Sequence, residues 1–318
     1  MTVKVRLYFC FYALLIAFAS LFSGCSADDS TPSAAADEIR VNAEVWHLVS
    51  GTRVNFIDDE NISDYDFIAT VYPTGTTTNP LISPVEVNWN STSSKWEFSD
   101  GKHYWPATGS FDFFAYMPVS IPSYITDMSD VASQVTYAAS ALQFKCASLP
   151  MTNSGQTSLQ EFVCALTPEQ SKSNAGADGV TMTFKHPFAR ITLKLSSTQQ
   201  PIHINTITLK SLKNNGSCSF DGSTSSWVPS DDACDFVATL DQDYTANQVI
   251  DTYIMVPQTF TGDIVVNADW TDWGAQLTHT VSTSLSSITW AAGTSYTYTF
   301  TITESDLKVD TQKYTEQW

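Results

Sequence analysis

Basic residues and helix formers are scarce in this sequence. It has 15 Lys and Arg against 33 Asp and Glu, a formal charge of −18. So acidic a body repels a phosphate backbone, which argues against nucleic acid as a partner. The charge reads instead as a source of solubility and self-repulsion. There is no Cys-x-x-Cys, so no zinc or redox-dithiol motif is indicated. His47, His103, His186, His203 and His279 stand far apart, without the spacing of a zinc-protease helix. Neither a Gly-x-Ser-x-Gly nucleophile elbow nor a P-loop occurs. The sequence reads as that of a non-enzyme, with no catalytic set, metal or cofactor.

The first fifty residues carry the clearest signal. Lys4 and Arg6 precede an apolar run over residues 7–22, which ends at Ser23-Gly24-Cys25. A basic start, an apolar core and small residues at its end mark an export signal. The run is shorter than the ~20 apolar residues of a membrane span. Phe22-Ser23-Gly24-Cys25 resembles a bacterial lipobox, in which Cys25 takes a covalent lipid and becomes the first residue. Phe22 stands where Leu is usual. Residues 26–37 are polar and without period, suiting a flexible tether. Losing Lys4 and Arg6, with no acid in residues 1–24, takes the charge from −18 to −20. The plainer alternative is an ordinary secretory signal with an incidental Cys25.

Thr, Ser, Val, Ile and aromatic residues dominate the rest and favour strands. Ile39, Val41, Ala43 and Val45 alternate with Arg40, Asn42 and Glu44, the period-two pattern of a half-buried strand. The strongly apolar stretch Phe111 to Met117 predicts a central strand of a sandwich core. Residues 167–179 are polar and contain Gly, and the domain boundary is placed there. The expected class is all-β: two antiparallel β-sandwich domains of transthyretin-like or Greek-key type after a lipoprotein signal. The expected segments are a signal at 1–24, a tether and first strand at 25–53, and sandwiches at 54–170 and 178–318.

Beyond Cys25, four cysteines remain: Cys146, Cys164, Cys218 and Cys234. An exported chain can form disulfides, and Cys218 with Cys234, flanking a loop-like stretch, is the favoured pair; four buried thiols are the alternative. The acidic groups Asp58-Asp59-Glu60 and Asp231-Asp232 read as solvated turns, and Asp241-Gln242-Asp243 lacks the Gly and distal Glu of a calcium loop. His186, before Pro187, reads as structural. Trp96, Trp105 and Trp290 sit in strand-like settings, so core packing is favoured over a sugar-stacking platform.

Several stretches, in order, resemble the fimbrillin-like (FimA and Mfa-type) lipoproteins of Bacteroidetes, subunits of type V pili. They are the lipobox at Cys25; the strand leading to Thr52-Arg53-Val54; Trp96 and Tyr104-Trp105-Pro106; and Phe111-Asp112-Phe113-Phe114-Ala115-Tyr116-Met117-Pro118. Later come Val180 to Ile191, Met255-Val256-Pro257-Gln258, and Trp290-Ala291-Ala292-Gly293 with Tyr296 and Tyr298. The resemblance implies an outer-membrane lipoprotein precursor, cut after an Arg so that its first strand leaves and a strand from another subunit fills the groove. Arg53 matches the family position, with Arg40 the alternative; Arg190, in an apolar strand, should be protected. Leu307 and Val309, alternating with Lys308 and Asp310 before the closing Trp318, mark residues 307–318 as a donor-strand candidate or as a last strand that stays at home. The implied partners are other pilus subunits, the outer membrane through the lipid, and a host glycan or protein. The rival reading is a non-polymerising surface lipoprotein or tip adhesin.

Overall fold

The structure is a computed structural model, and it describes residues 37–45, 56–130, 134–196, 202–272, 275–303 and 306–317. Cys25, Arg53 and Trp318 lie outside the described residues. The chain divides into two compact units, Met1–Glu38 and Ile39–Trp318. Of the first, only Asp37 and Glu38 are described. The second is nearly all β, with several antiparallel sheets.

Alternation explains most of the strands. In Thr294–Ile302, Tyr296, Tyr298, Phe300 and Ile302 turn inward while the intervening threonines are half-exposed. Phe111–Met117 breaks the alternation because both of its faces are covered. It lies second in a five-stranded sheet ordered Val163–Gln170, Phe111–Met117, Phe67–Pro73, Ile82–Asn90, Lys95–Phe98. Phe113, Ala115 and Met117 enter one core, and Phe114 enters another. Val163–Gln170 divides likewise, Val163 and Ala165 to the first core, Cys164 and Leu166 to the second.

The first core is closed by Val41–Val45 and Val180–Phe184. The second is closed by a sheet in which Ala141–Cys146 pairs with Gly216–Phe220, which pairs in turn with Ser225–Pro229. Phe144, Phe162, Phe188 and Trp227 form its aromatic centre, and the Trp227 indole donates to the Pro187 carbonyl at 2.6 Å.

A third core lies between two four-stranded sheets. One runs Val249–Met255, Ala189–Leu195, Thr294–Ile302, Leu307–Gln317; the other runs Cys234–Tyr244, Ile202–Leu212, Gln258–Asp272, Ala275–Trp290.

Three findings depart from the sequence pattern. Val41–Val45 pairs in parallel with Val180–Phe184, and Ala189–Leu195 with Thr294–Ile302. Val163–Gln170 and Val180–Phe184, on either side of residues 171–179, serve one core. The hairpin Gly216–Phe220 and Ser225–Pro229 joins the sheet of Ala141–Cys146.

The pairing of Cys218 with Cys234 is not formed; both are free thiols, as are Cys146 and Cys164. The hairpin separates them. Cys218 lies opposite Phe144 in the second core, while Cys234 lies opposite Leu212 in another sheet. The loop between them includes a tight turn, in which Asp221 accepts from the Ser223 and Thr224 amides at 2.8 and 2.7 Å. Burial pushes the Cys146 thiol up to about 12, and burial together with Cys218 raises that of Cys164, so these are inert packing groups.

Asp112 is buried in the central strand. Its carboxylate accepts from the Thr74 hydroxyl at 3.0 Å, the Gly75 amide at 3.3 Å and the Glu169 amide at 2.9 Å. One side chain thus fixes a turn and an irregular stretch of the neighbouring strand. Asp112→Ala leaves those donors without their acceptor and is expected to lower stability by about 2–4 kcal/mol in urea unfolding.

His203 sits between Asp243 at 2.8 Å and Asp241 at 3.0 Å, and hydrogen bonds to Asp241 and Asp243 hold its pKa above the ordinary 6.5. A pKa raised by folding stabilises fully below the unfolded value, and the gain is lost as pH rises through the folded value. An NMR titration should therefore place His203 above 6.5, and Asp241→Asn with Asp243→Asn should bring it back down.

Candidate strand-exchange groove

In the sequence, the two arginines marked for processing, Arg40 and Arg53, flank one strand. Val41–Val45 lies parallel to Val180–Phe184, in register from Val41 opposite Val180 to Val45 opposite Phe184. Ile39, Val41, Ala43 and Val45 are 2, 4, 9 and 3 % exposed and enter the first core. Phe67, Phe184 and Trp96 belong to that core; the Phe67 ring centroid lies 5.0 Å from Trp96 and 5.3 Å from Phe184. Burying two Val, one Ile and one Ala contributes roughly 7 kcal/mol of hydrophobic free energy, an upper figure for a compact unfolded reference.

Backbone contacts set the register. The Val180 amide donates to the Arg40 carbonyl at 2.8 Å. Gly179 has φ +99°, and a Cβ there would meet that same carbonyl oxygen at 2.2 Å. Only glycine allows so close an approach. At the far end the Val45 amide donates to Asp59 at 3.0 Å, and the Thr183 hydroxyl donates to Glu44 at 2.7 Å.

The chain after residue 55 is held separately, around Glu161. This buried carboxylate accepts from the Ile57 amide at 2.8 Å and lies 2.7 Å from His186 Nδ1. The Arg190 guanidinium lies 4.8 Å over the Phe56 ring. Its pKa is lowered by burial and raised by the charge of Glu161. Burial and the same carboxylate push the Tyr124 phenol up. Asn61 also donates to the Phe56 carbonyl at 2.7 Å.

Arg190 is therefore buried, as its strand pattern predicts, and His186 is a structural partner of Glu161. Arg40 is half-exposed, with its carbonyl tied to Val180. Leu307 is buried in the third core and Val309 packs against it; the strand Leu307–Gln317 forms an outer edge beside Thr294–Ile302. Trp96 and Trp290 are buried, and Trp105 packs against Phe111 and Phe113. No group of three or more His, Cys, Asp or Glu suited to a metal occurs among the described residues.

Glu161 and Gly179 were not marked by the sequence pattern, and Asp59, read there as part of a solvated turn, is exposed and also accepts from the Val45 amide. Only Glu161 carries a faint signal, as a single acid directly before the apolar Phe162-Val163-Cys164-Ala165.

The profile of the fimbrillin-like family matches residues 52–318. The chain belongs to the fimbrillin-like family. This is a family of fimbrial structural and adhesion proteins, not of enzymes, and its members assemble with other pilus subunits as cell-surface appendages. Among solved structures, a fimbrial protein from Bacteroides vulgatus ATCC 8482 superposes with TM-score 0.58 at 17% identity, covering 89% of this chain and 99% of that one. A candidate cell adhesion protein from Bacteroides ovatus ATCC 8483 gives 0.55 at 16% identity, over 88% and 97%. One from Bacteroides uniformis ATCC 8492 gives 0.52 at 11% identity, over 87% and 98%. At these identities the likeness is one of fold. No curated protein sequence matches.

The close approach at Gly179 allows a direct check on the seating of the strand. Gly179→Ala puts a methyl group into the Arg40 carbonyl and is expected to destabilise by more than about 2 kcal/mol. Hydrogen exchange should quicken first at the Val180 amide, and trypsin should begin to cut at Arg40.

Proposed function

We propose that this fimbrillin-like chain is a structural subunit of a cell-surface fimbria, exported as a lipoprotein acylated on Cys25 and polymerised by strand exchange after a cut at Arg53. The observation that carries the reading is the seating of Ile39–Val45. Its apolar side chains complete a core, yet among the described residues it lies in two two-stranded sheets: Ile39 lies in the two-residue strand Glu38–Ile39 paired with His103–Tyr104, and Val41–Val45 pairs with one parallel strand. Such a stretch can leave without taking apart any of the four- and five-stranded sheets.

The two flanks of residues 46–55 support a cut between them. Upstream, Val45 ends the filler strand; downstream, Phe56 and Ile57 are held by Arg190 and Glu161. Cleavage at Arg53 would free residues 25–53 with their lipid and leave residue 54 onward attached to the body. Cleavage at Arg40 would remove the lipid and leave the strand, and it would have to strip the Arg40–Val180 bond first. An emptied groove exposes Val180–Phe184 as a bare edge over an apolar core, and an extended strand with alternating apolar residues is the shape that refills it. Leu307 and Val309, alternating with Lys308 and Asp310 on an outer strand, supply that pattern from a neighbouring subunit.

The test is limited trypsin digestion of the purified full-length chain. Ladders on a denaturing gel and a new N-terminus at Val54 are expected. Arg53→Ala should abolish both, while Arg40→Ala should leave them intact. A chain trimmed at Arg53 that stays monomeric at every concentration would overturn polymerisation by exchange. Cys25→Ser should move the protein from the membrane to the soluble fraction.

A further inference from the structure

The third core has two open flanks, where the outer strands of its two sheets run side by side. On one of them the outer strands are Cys234–Tyr244 and Val249–Met255. An outer strand presents a row of unpaired amides and carbonyls and is a template for any passing strand. Here the segment 151–156, which runs into the five-residue helix Asn153–Thr157, covers both strands.

It does so with side-chain amides that imitate a strand. Asn153 Nδ2 donates to the Thr239 carbonyl at 2.8 Å, and the Thr239 amide donates to Asn153 Oδ1 at 3.1 Å. Gln156 Nε2 donates to the Ile254 carbonyl at 2.9 Å, and the Ile254 amide donates to Gln156 Oε1 at 3.1 Å. Each carboxamide thus takes both outward backbone groups of one edge residue, as a neighbouring strand would. The main chain adds to this: the Val237 amide donates to the Met151 carbonyl at 2.9 Å, with Thr152 bridged to Val237 in parallel. Two residues before Ile254, the Thr252 amide is taken by the carboxylate of Asp251 at 2.9 Å. Gln156 is itself buried, with a further bond from Nε2 to the Pro150 carbonyl at 3.0 Å, so its amide is held in place.

We propose that segment 151–156 is an edge lock: through Asn153 and Gln156 it denies both outer strands on this flank to a second copy of the chain. A second copy is the occupant in question because Leu307–Gln317, another outer strand, is a strand each copy can offer in return. Strand addition at the third core is then confined to the flank that carries Leu307–Gln317, and a polymer cannot branch through Thr239 or Ile254. The lock needs no cut at Arg53, so it stands apart from the processing reading.

The experiment uses the full-length Arg53→Ala chain without protease, as wild type at the lock and as an Asn153→Ala, Gln156→Ala double variant. Sedimentation over a concentration series reads association, and hydrogen exchange reads the Val237, Thr239 and Ile254 amides. The double variant is expected to exchange about tenfold faster at Thr239 and Ile254 and to form dimers where the parent is monomeric. Asp112→Ala, which destabilises a distant sheet, serves as the control and should do neither. Unchanged exchange, faster exchange without association, or equal association of the Asp112→Ala control would each overturn the lock. Should the double variant fail to fold, the single Asn153→Ala variant is read at Thr239 by the same criteria, since it removes both partners of that edge residue and Asn153 is half-exposed. Failure of Arg53 processing would leave these outcomes untouched.

Discussion

Double burial of the sheet around Phe111–Met117 is the constraint to which the other elements answer. A strand with apolar side chains on both faces needs a layer on each side, and each layer here is assembled from distant parts of the chain. On one face the cover is Val41–Val45 with Val180–Phe184; on the other it is Ala141–Cys146 with the hairpin 216–229. Removing either cover exposes phenylalanines that have no other shelter. The first strand is thus more than a leader to the fold, because Phe67, Phe113 and Phe184 share the core that it completes.

Buried polar groups then decide what is fixed and what can move. Asp112 holds a turn, Glu161 holds the chain at Ile57, and Gln156 holds an edge at Ile254. In each case a buried acceptor meets backbone amides, and a buried N–H without such a partner costs about 1–3 kcal/mol. These anchors lie on the body side of residues 46–55. The filler strand has weaker ties, among them the Asp59 carboxylate on the Val45 amide and the Arg40 carbonyl bond. The partition is consistent with the proposed loss of one strand.

Local patterns in the sequence reached far, and their limits are physical. Alternation at Ile39–Val45 states which side chains are inward, and the strongly apolar stretch Phe111–Met117, broken by Asp112, marks a central strand; the structure places both so. Alternation does not name a partner. The parallel seating of Val41–Val45 on Val180–Phe184 joins residues about 140 apart, and nothing local records it. The reach of the hairpin 216–229 into another sheet is similarly silent, since Cys218 and Phe220 alternate as any half-buried strand would. That silence is what made Cys218 and Cys234 look like a pair. Glu161 was hidden for the opposite reason: an isolated acid beside an apolar strand looks ordinary until its burial and its Ile57 and His186 partners are seen.

In the proposed assembly, edges would also set a direction. In the proposed exchange an emptied first-core groove would be a strong acceptor, because a replacement strand would recover up to roughly the 7 kcal/mol of apolar burial that the filler supplied. The edges at Thr239 and Ile254 are weak acceptors, since Asn153 and Gln156 already satisfy their backbone groups and an incoming strand gains little beyond an exchange of like bonds. The difference between them rests on apolar area and not on hydrogen bonding, which both sites provide. In the proposed exchange, a strand offered by another copy would therefore go to the groove even while several edges are within reach, and polymer order would follow from which core loses its own strand.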